Sequence, residues 1–310
     1  VLLLGACSAW GHAPLRSGGE ALAWPAEAWP LRLASTALAD RRAAAGWSAG
    51  GPAAWRPESE VELSDDGRVA VEALDAAAWL ETVGDPALVA FTLITHQAGA
   101  LLDADVVLNV DRFALVDPPV PRAFSRQAVM AHELGHVLGL GHPCGVSGQP
   151  SCLGPEGAAL MAPRLPAGDH RGPGEDDWAG LSAYSTYPGP ARRPMVGQAE
   201  ASTTGWWVAA QGLEPGDTVV RHGVTRVVET LQQIPPALEA APDVYALELW
   251  TTAGQGVIVD RPVMPDGGLE EAPHSAPAPA GGCSTTQAPL NAPAWALLAI
   301  ALRWRKGRSS

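Results

Sequence analysis

The sequence predicts an α+β fold in which a twisted mixed sheet is backed by helices and followed by a smaller β-rich unit. Three observations carry this. Apolar runs at residues 69–71, 89–93 and 106–108 have strand length and strand composition and are separated by turn signals. Helical stretches alternate with them, which is the pattern of a sheet covered by helices. Beyond Pro190 the composition shifts to closely spaced β-rich runs with no helical stretch between them.

In chain order, residues 23–24 and 31–33 suggest a first strand, and Ser35 or Thr36 can cap an Ala-rich helix that runs to about Gly46. Residues 47–67 carry turn signals. The three buried runs follow, and Asp117-Pro-Pro-Val-Pro121 ends that region. Ser125 is a cap for a helix over residues 126–137. Past Pro190, residues 206–208, 217–220, 225–228, 245–250 and 256–259 read as strands of a small unit spanning residues 195–262. Trp206 and Trp207 are adjacent, so strand alternation favours one facing in and one out over a two-ring binding patch. No internal repeat is visible.

The helix at 126–137 carries the chemistry. Residues 132–142 read His-Glu-Leu-Gly-His-Val-Leu-Gly-Leu-Gly-His. His132 and His136 are four apart and project from one helix face, with Glu133 beside them. Gly139 can take positive φ and break the helix, so that His142 returns toward the other two imidazoles. Three neutral imidazoles with no fourth strong protein ligand make an open Zn²⁺ site, one catalytic zinc per chain. Zinc acidifies bound water and polarises a carbonyl, and Glu133 is placed to take the water's proton and return it to a leaving amine. The expected activity is peptide hydrolysis without a covalent intermediate. The competing reading is a catalytically silent zinc-containing surface module or adhesin; the presence of Glu133 weighs against it.

This segment resembles the signature of the metzincin zinc endopeptidases, H-E-x-x-H-x-x-G-x-x-H followed by a methionine turn. Residues 159–163, Ala-Leu-Met-Ala-Pro, are similar to that turn, with Met161 beneath the metal. Within the clan the chain most resembles the matrixins and their bacterial relatives. Residues 103–109 look like the strand before their active-site helix, and residues 175–181, Glu-Asp-Asp-Trp-Ala-Gly-Leu, look like the start of their C-terminal helix. The resemblance covers residues 20–189 and implies a zinc cleft between the sheet and a lower subdomain from about His142 to Pro188. The chain departs from it in two ways. Pro143 is more like the serralysins, although Pro163 stands where those carry Tyr, and the matrixin latency cysteine segment is absent. His96 and His170 are read as ordinary histidines, and calcium sites are not readable from the sequence.

The ends carry their own signals. Residues 1–9, Val-Leu-Leu-Leu-Gly-Ala-Cys-Ser-Ala, look like the remnant of a secretory signal, with lipidation at Cys7 and simple cleavage after Ala9 as open alternatives. Residues 263–282 form a Pro-, Gly- and Ala-rich linker. In residues 283–310, Cys283 precedes an apolar run and a basic stop, an arrangement resembling a MYXO-CTERM sorting or anchor tail that is processed at the surface. Both ends imply an exported protein, at the bacterial cell surface or outer membrane or extracellular, attached through the tail or a lipidated Cys7. Cys144 and Cys152 remain. A disulfide between them would staple the loop after His142, and ligation of zinc by Cys144, which would compete with His142, is the weaker alternative.

Charge excludes one class of partner. The formal net charge is −13 and the pI near 5.0, with no basic cluster outside the extreme C-terminus, so nucleic acid is not expected. The expected partner is a protein or peptide substrate of a monomeric enzyme.

Overall fold

The computed structural model describes residues 13–263, apart from 51–52, 59–62, 64–65, 119, 121, 145–151, 153–158, 170, 190–192 and 203, together with the backbone of residues 295–302. The signal remnant at 1–9, Cys7, His170, Cys283 and most of the linker and tail lie outside the described residues.

The first unit is built on a mixed sheet. β1 (Leu31–Ala34) leads into α1 (Leu38–Gly50), then β2 (Trp55–Glu58), β3 (Arg68–Leu74), α2 (Ala76–Thr82), β4 (Leu88–Gln97) and β5 (Ala100–Asn109). α3 (Arg126–Val137), β6 (Arg164–Pro166) and α4 (Glu175–Tyr184) complete it. β7 (Met195–Ser202), β8 (Gly205–Gln211), β9 (Thr218–His222), β10 (Val227–Thr230), β11 (Leu238–Ala240), β12 (Ala246–Trp250) and β13 (Gly256–Asp260) form the later unit, and β14 (Trp295–Leu302) returns to the first. The architecture is mixed α+β, as the sequence predicts.

The large sheet has the order β6-β14-β4-β5-β3-β1-β2. β2, β1, β3 and β5 run parallel, and β4 is antiparallel to β5. Parallel strands buried on both faces read as continuous apolar runs, which is why 106–108 was legible. It is the centre of a longer strand in which Ala104 and Val106–Leu108 are all buried. Asp103 and Asp105 are buried there too, and each accepts a backbone N–H, from Gly67 and Ala70 respectively. α2 has no strong apolar periodicity and was not anticipated; Asp75 caps it by accepting the Ala78 N–H at 2.8 Å. α3 spans the expected residues and its expected cap holds, Ser125 Oγ accepting from Ala128 N at 3.0 Å.

The later unit is a three-stranded sheet, β7-β8-β11, and a four-stranded one, β10-β9-β12-β13. Its core holds Trp206, Val208, Leu213, Val219, Leu247 and Leu249. Trp206 is buried and Trp207 half-buried, the alternation expected of one strand. β7 and β11 were not anticipated; β7 mixes apolar and polar residues and none of it is fully buried, so no apolar run marks it.

β12 joins the two units. All five of its residues are buried because it has a core on each face. Leu247 and Leu249 enter the later unit's core, whereas Trp250 belongs to the main core with Trp47, Trp55 and α3. Between them Glu248 accepts from Arg41 Nη1 of α1 at 3.0 Å, and both side chains have no exposure. Arg41 also donates to the carbonyls of Ser35 and Glu58, and Glu248 pairs with His222 Nε2 at 2.6 Å and accepts from Trp250 Nε1. Burial pushes the Arg41 guanidinium below its ordinary value and Glu248 opposes this. Main-chain bonds cross nearby, Trp55 N donating to Gly254 O at 2.7 Å.

Removing one partner of a buried pair leaves an uncompensated charge, which costs about 3–5 kcal/mol. Glu248→Ala is therefore expected to lower the urea unfolding free energy of the full chain by that order, and Arg41→Met/Glu248→Leu to recover part of it. Equal stability of Glu248→Ala and the parent would show that the pair does not tie the units.

A second prediction concerns pH. Asp177, buried in the first turn of α4, accepts the Gly174 N–H at 2.9 Å through Oδ2, while Oδ1 has no partner among the described residues. Burial pushes its carboxyl up to about 7, against the pull of the Gly174 amide. The folded chain thus holds the proton more tightly than the unfolded one. The stability from this group is full below about pH 4 and lost as pH rises through 7. Asp177→Asn, which keeps an acceptor for Gly174, should gain stability over the parent between pH 5 and pH 8 and lose that advantage at pH 4. A difference independent of pH in thermal melts would contradict it.

Candidate metal centre

The interior of α3 is buried, from Ala128 to Val137. Burying a helix around its whole circumference requires small residues where neighbours approach. Gly135 is one. A Cβ there would overlap Met161 Sδ and Cε and Trp47 Cζ2. Met161 is itself fully buried, so the turn at 159–162 packs against the helix turn that bears both histidines. The indoles of Trp47 and Trp24 donate to the carbonyls of Ala131 and Val137, at 2.8 and 2.7 Å. The second satisfies one of the carbonyls that a helix end leaves open.

The helix stops as the sequence predicts. Gly139 has φ +95° and donates to the His136 carbonyl. A Cβ there would sit 2.7 Å from the Leu22 carbonyl oxygen, so glycine is required on two counts. Leu140 and Gly141 then pair antiparallel with Pro14 and Ala13, which carries His142 back to the helix.

His132, His136 and His142 come together. Nε2 of His142 lies 3.2 Å from Nε2 of His132 and 3.2 Å from Nε2 of His136. One ligand atom from each of the three falls within 4.8 Å of the others. The remaining ring nitrogens settle the tautomers. His132 Nδ1 is 2.7 Å from the Leu160 carbonyl and His136 Nδ1 is 2.8 Å from the Leu140 carbonyl. A carbonyl only accepts, so both Nδ1 atoms carry hydrogen and, in neutral rings, both Nε2 atoms present lone pairs.

That proton count tests the site for a metal. His142 Nε2 has at most one hydrogen and so can satisfy only one of its two Nε2 neighbours; the other keeps a buried lone pair with no donor, and without that hydrogen both contacts set lone pair against lone pair. A cation at the centre removes the conflict. Four-coordinate tetrahedral geometry at about 2.0–2.1 Å from each nitrogen separates ligands by about 3.3 Å, close to the two observed 3.2 Å spacings. Burial also lowers His132 to about 4 and His142 to about 3, and pushes His136 well down, so the rings are neutral at pH 7. The residues therefore fit a metal ion.

Glu133 is fully buried beside them in the helix. Thr92 Oγ1 of β4 donates to its Oε2 at 2.5 Å, and Oε1 has no partner among the described residues. Burial raises the carboxyl to about 8, the Thr92 hydrogen bond opposing it. One oxygen is thus anchored and the other free.

Cys144 and Cys152 are disulfide-bonded, with Cα atoms 5.2 Å apart, so Cys144 is not a ligand. His96 is the penultimate residue of β4 and is not in the metal-holding group found among the described residues. Sequence reasoning missed Thr92, Trp24, Trp47 and the carbonyls of Leu140 and Leu160. No local pattern marks them, because each acts from a distant element or through its backbone.

No family model matches the chain, and no curated protein matches it significantly. The site therefore stands on its own geometry, as a buried cluster of three histidines able to hold a metal ion.

Overpacking a close contact costs about 1–3 kcal/mol. Gly135→Ala is expected to lower the thermal midpoint and to loosen metal retention on dialysis, and adding Met161→Ala should restore part of both because it makes room for the new methyl. Unchanged melting and metal content in Gly135→Ala would refute the role given to this contact.

Proposed function

We propose that the chain is a zinc-dependent endopeptidase of metzincin type, matrixin-like, acting outside the cytoplasm on protein or peptide substrates. The observation that carries this is the convergence of the three Nε2 atoms, each 3.2 Å contact matching a zinc site with one position open. The sequence of the helix, the glycine break and the methionine packed under Gly135 support the family reading. The Cys144–Cys152 disulfide supports an oxidising compartment.

Zinc, when bound, supplies Lewis acidity toward a peptide carbonyl and acidifies water. The chain's residues supply the rest. His132, His136 and His142 hold the ion, and the Leu160 and Leu140 carbonyls fix the first two rings. Thr92 holds Glu133 Oε2, which leaves Oε1 available for proton transfer. Burial alone holds the Glu133 carboxyl at about 8, and a cation held by the three histidines would lower it to the ionised form, in which Oε1 takes a proton from the attacking water as its oxygen bonds to the carbonyl carbon. It then delivers that proton to the amine nitrogen as the C–N bond breaks, so one carboxylate serves both transfers.

Glu133→Ala should bind one zinc per chain and melt near the parent, while peptide cleavage falls by about 10⁴-fold or more, since assistance to each proton transfer is typically worth 10²–10⁴. His136→Ala should lose zinc and cleavage together. Metal analysis, thermal melts and digestion of a randomised peptide library, run on both variants and the parent, decide it. Parental cleavage by Glu133→Ala would exclude the mechanism and leave zinc a structural role.

A further inference from the structure

The site's edge of the large sheet is completed by a segment distant in sequence. β14 runs parallel to β4, with Leu297 opposite Leu88, Ala299 opposite Phe91 and Ile300 opposite Thr92. On its other side it is antiparallel to β6, with Leu297 opposite Arg164 and Trp295 opposite Pro166. β4 and β6 are joined in the sheet only through β14 among the described strands.

Both neighbours belong to the metal centre. Thr92 of β4 holds Glu133, and β6 begins just after the turn whose Leu160 carbonyl orients His132. Strands in a sheet lie about 4.8 Å apart, so β4 and β6 flank a slot of roughly 10 Å, the width of one extended chain. Two facing strand edges with free N–H and C=O groups are a template for such a chain.

We propose that in the uncut chain the protein's own segment 295–302 occupies this slot and excludes substrate from it. The inference rests on the peptidase reading for its consequence, though not for the docking itself. Three observations favour this occupant. It is seated there, with backbone pairing on both sides. Its eight residues, Trp-Ala-Leu-Leu-Ala-Ile-Ala-Leu, carry no charge, proline or glycine, so nothing in them opposes strand pairing. The connecting residues 264–294 can extend roughly 100 Å, more than the ~45 Å diameter of a unit this size, so the return is within reach and the effective concentration high. Its pairing to β4 is parallel, the slightly weaker kind, and its pairing to β6 covers only residues 295–297, which leaves the segment displaceable. Cutting anywhere in 264–294 would release it and open the slot to substrate.

The test compares hydrogen exchange in the full-length chain and in full-length Ala296→Pro/Leu297→Pro, placed where β14 pairs with both β4 and β6. Adjacent strand residues face opposite neighbours, so the pair removes a donor on each side. The β4 amides directed away from β5, and the one of the Arg164 and Leu165 amides that faces β14, should exchange at least tenfold faster in the variant, with α3 unchanged. Equal exchange in those segments overturns the proposal. Should the variant lose protection throughout, a specific protease site inserted between Gly267 and Gly268 of the otherwise parental chain replaces it. Cutting and dilution should then free residues 268–310 and accelerate the same amides, and no change on cutting overturns the proposal equally. Peptide cleavage measured in parallel separates the two readings. Faster cleavage by the opened chain supports both, whereas an exchange response with no cleavage by either form keeps the docked strand and removes the peptidase.

Discussion

The contact between Met161 and Gly135 is the constraint on which the metal centre depends. The two ends of the site come from segments far apart in sequence, α3 and the turn at 159–162, and they meet where α3 has no side chain. That approach brings the Leu160 carbonyl to 2.7 Å from His132 Nδ1, which fixes the first imidazole. A larger residue at 135 would move the turn, and with it the only hydrogen bond to that ring's far nitrogen among the described residues. Outer partners of this kind commonly tune metal affinity by 10–100-fold. The same turn leads into β6, so one packing contact sets both the ligand geometry and the position of a strand edge.

The histidines can be aimed because the helix beneath them is held on every side. Trp24 and Trp47 donate indole N–H groups to α3 carbonyls, and α3 packs on α1. At its start Arg126 makes two 2.8 Å bonds to Asp40, whose carboxylate also accepts from Ser35 Oγ. Such support makes a strained arrangement tolerable. Three ring nitrogens crowd one point, and the buried carboxyl of Glu133 keeps one oxygen without a partner among the described residues. Groups this costly to bury are expected where a function needs them.

Much of this was legible in the sequence. The histidine spacing, the break at Gly139, the cap at Ser125 and the disulfide follow from local rules, and each holds in the structure. The central strands were legible because burial on both faces makes apolar runs. α2, β7 and β11 were not, since a short capped helix and half-exposed or three-residue strands leave little periodicity. Thr92 was invisible for another reason. It sits in an apolar strand and becomes a partner of Glu133 only when β4 lies against α3. Backbone carbonyls as ring partners have no sequence signature at all.

The later unit read in the sequence as a separate β module, and its own core supports that in part. Adjacent residues of α1 nevertheless look both ways. Asp40 binds Arg126 at the start of the metal helix, and Arg41 binds Glu248 in β12. Trp250, two residues further along β12, is part of the core that packs α3. A helix turn bonded at one residue to the metal helix and at the next to the β unit transmits displacement between them, because neither side chain has free space in which to relax. The β-rich unit therefore braces the metal centre from behind α1, and its buried ion pair, costly to form in isolation, specifies how the two units meet.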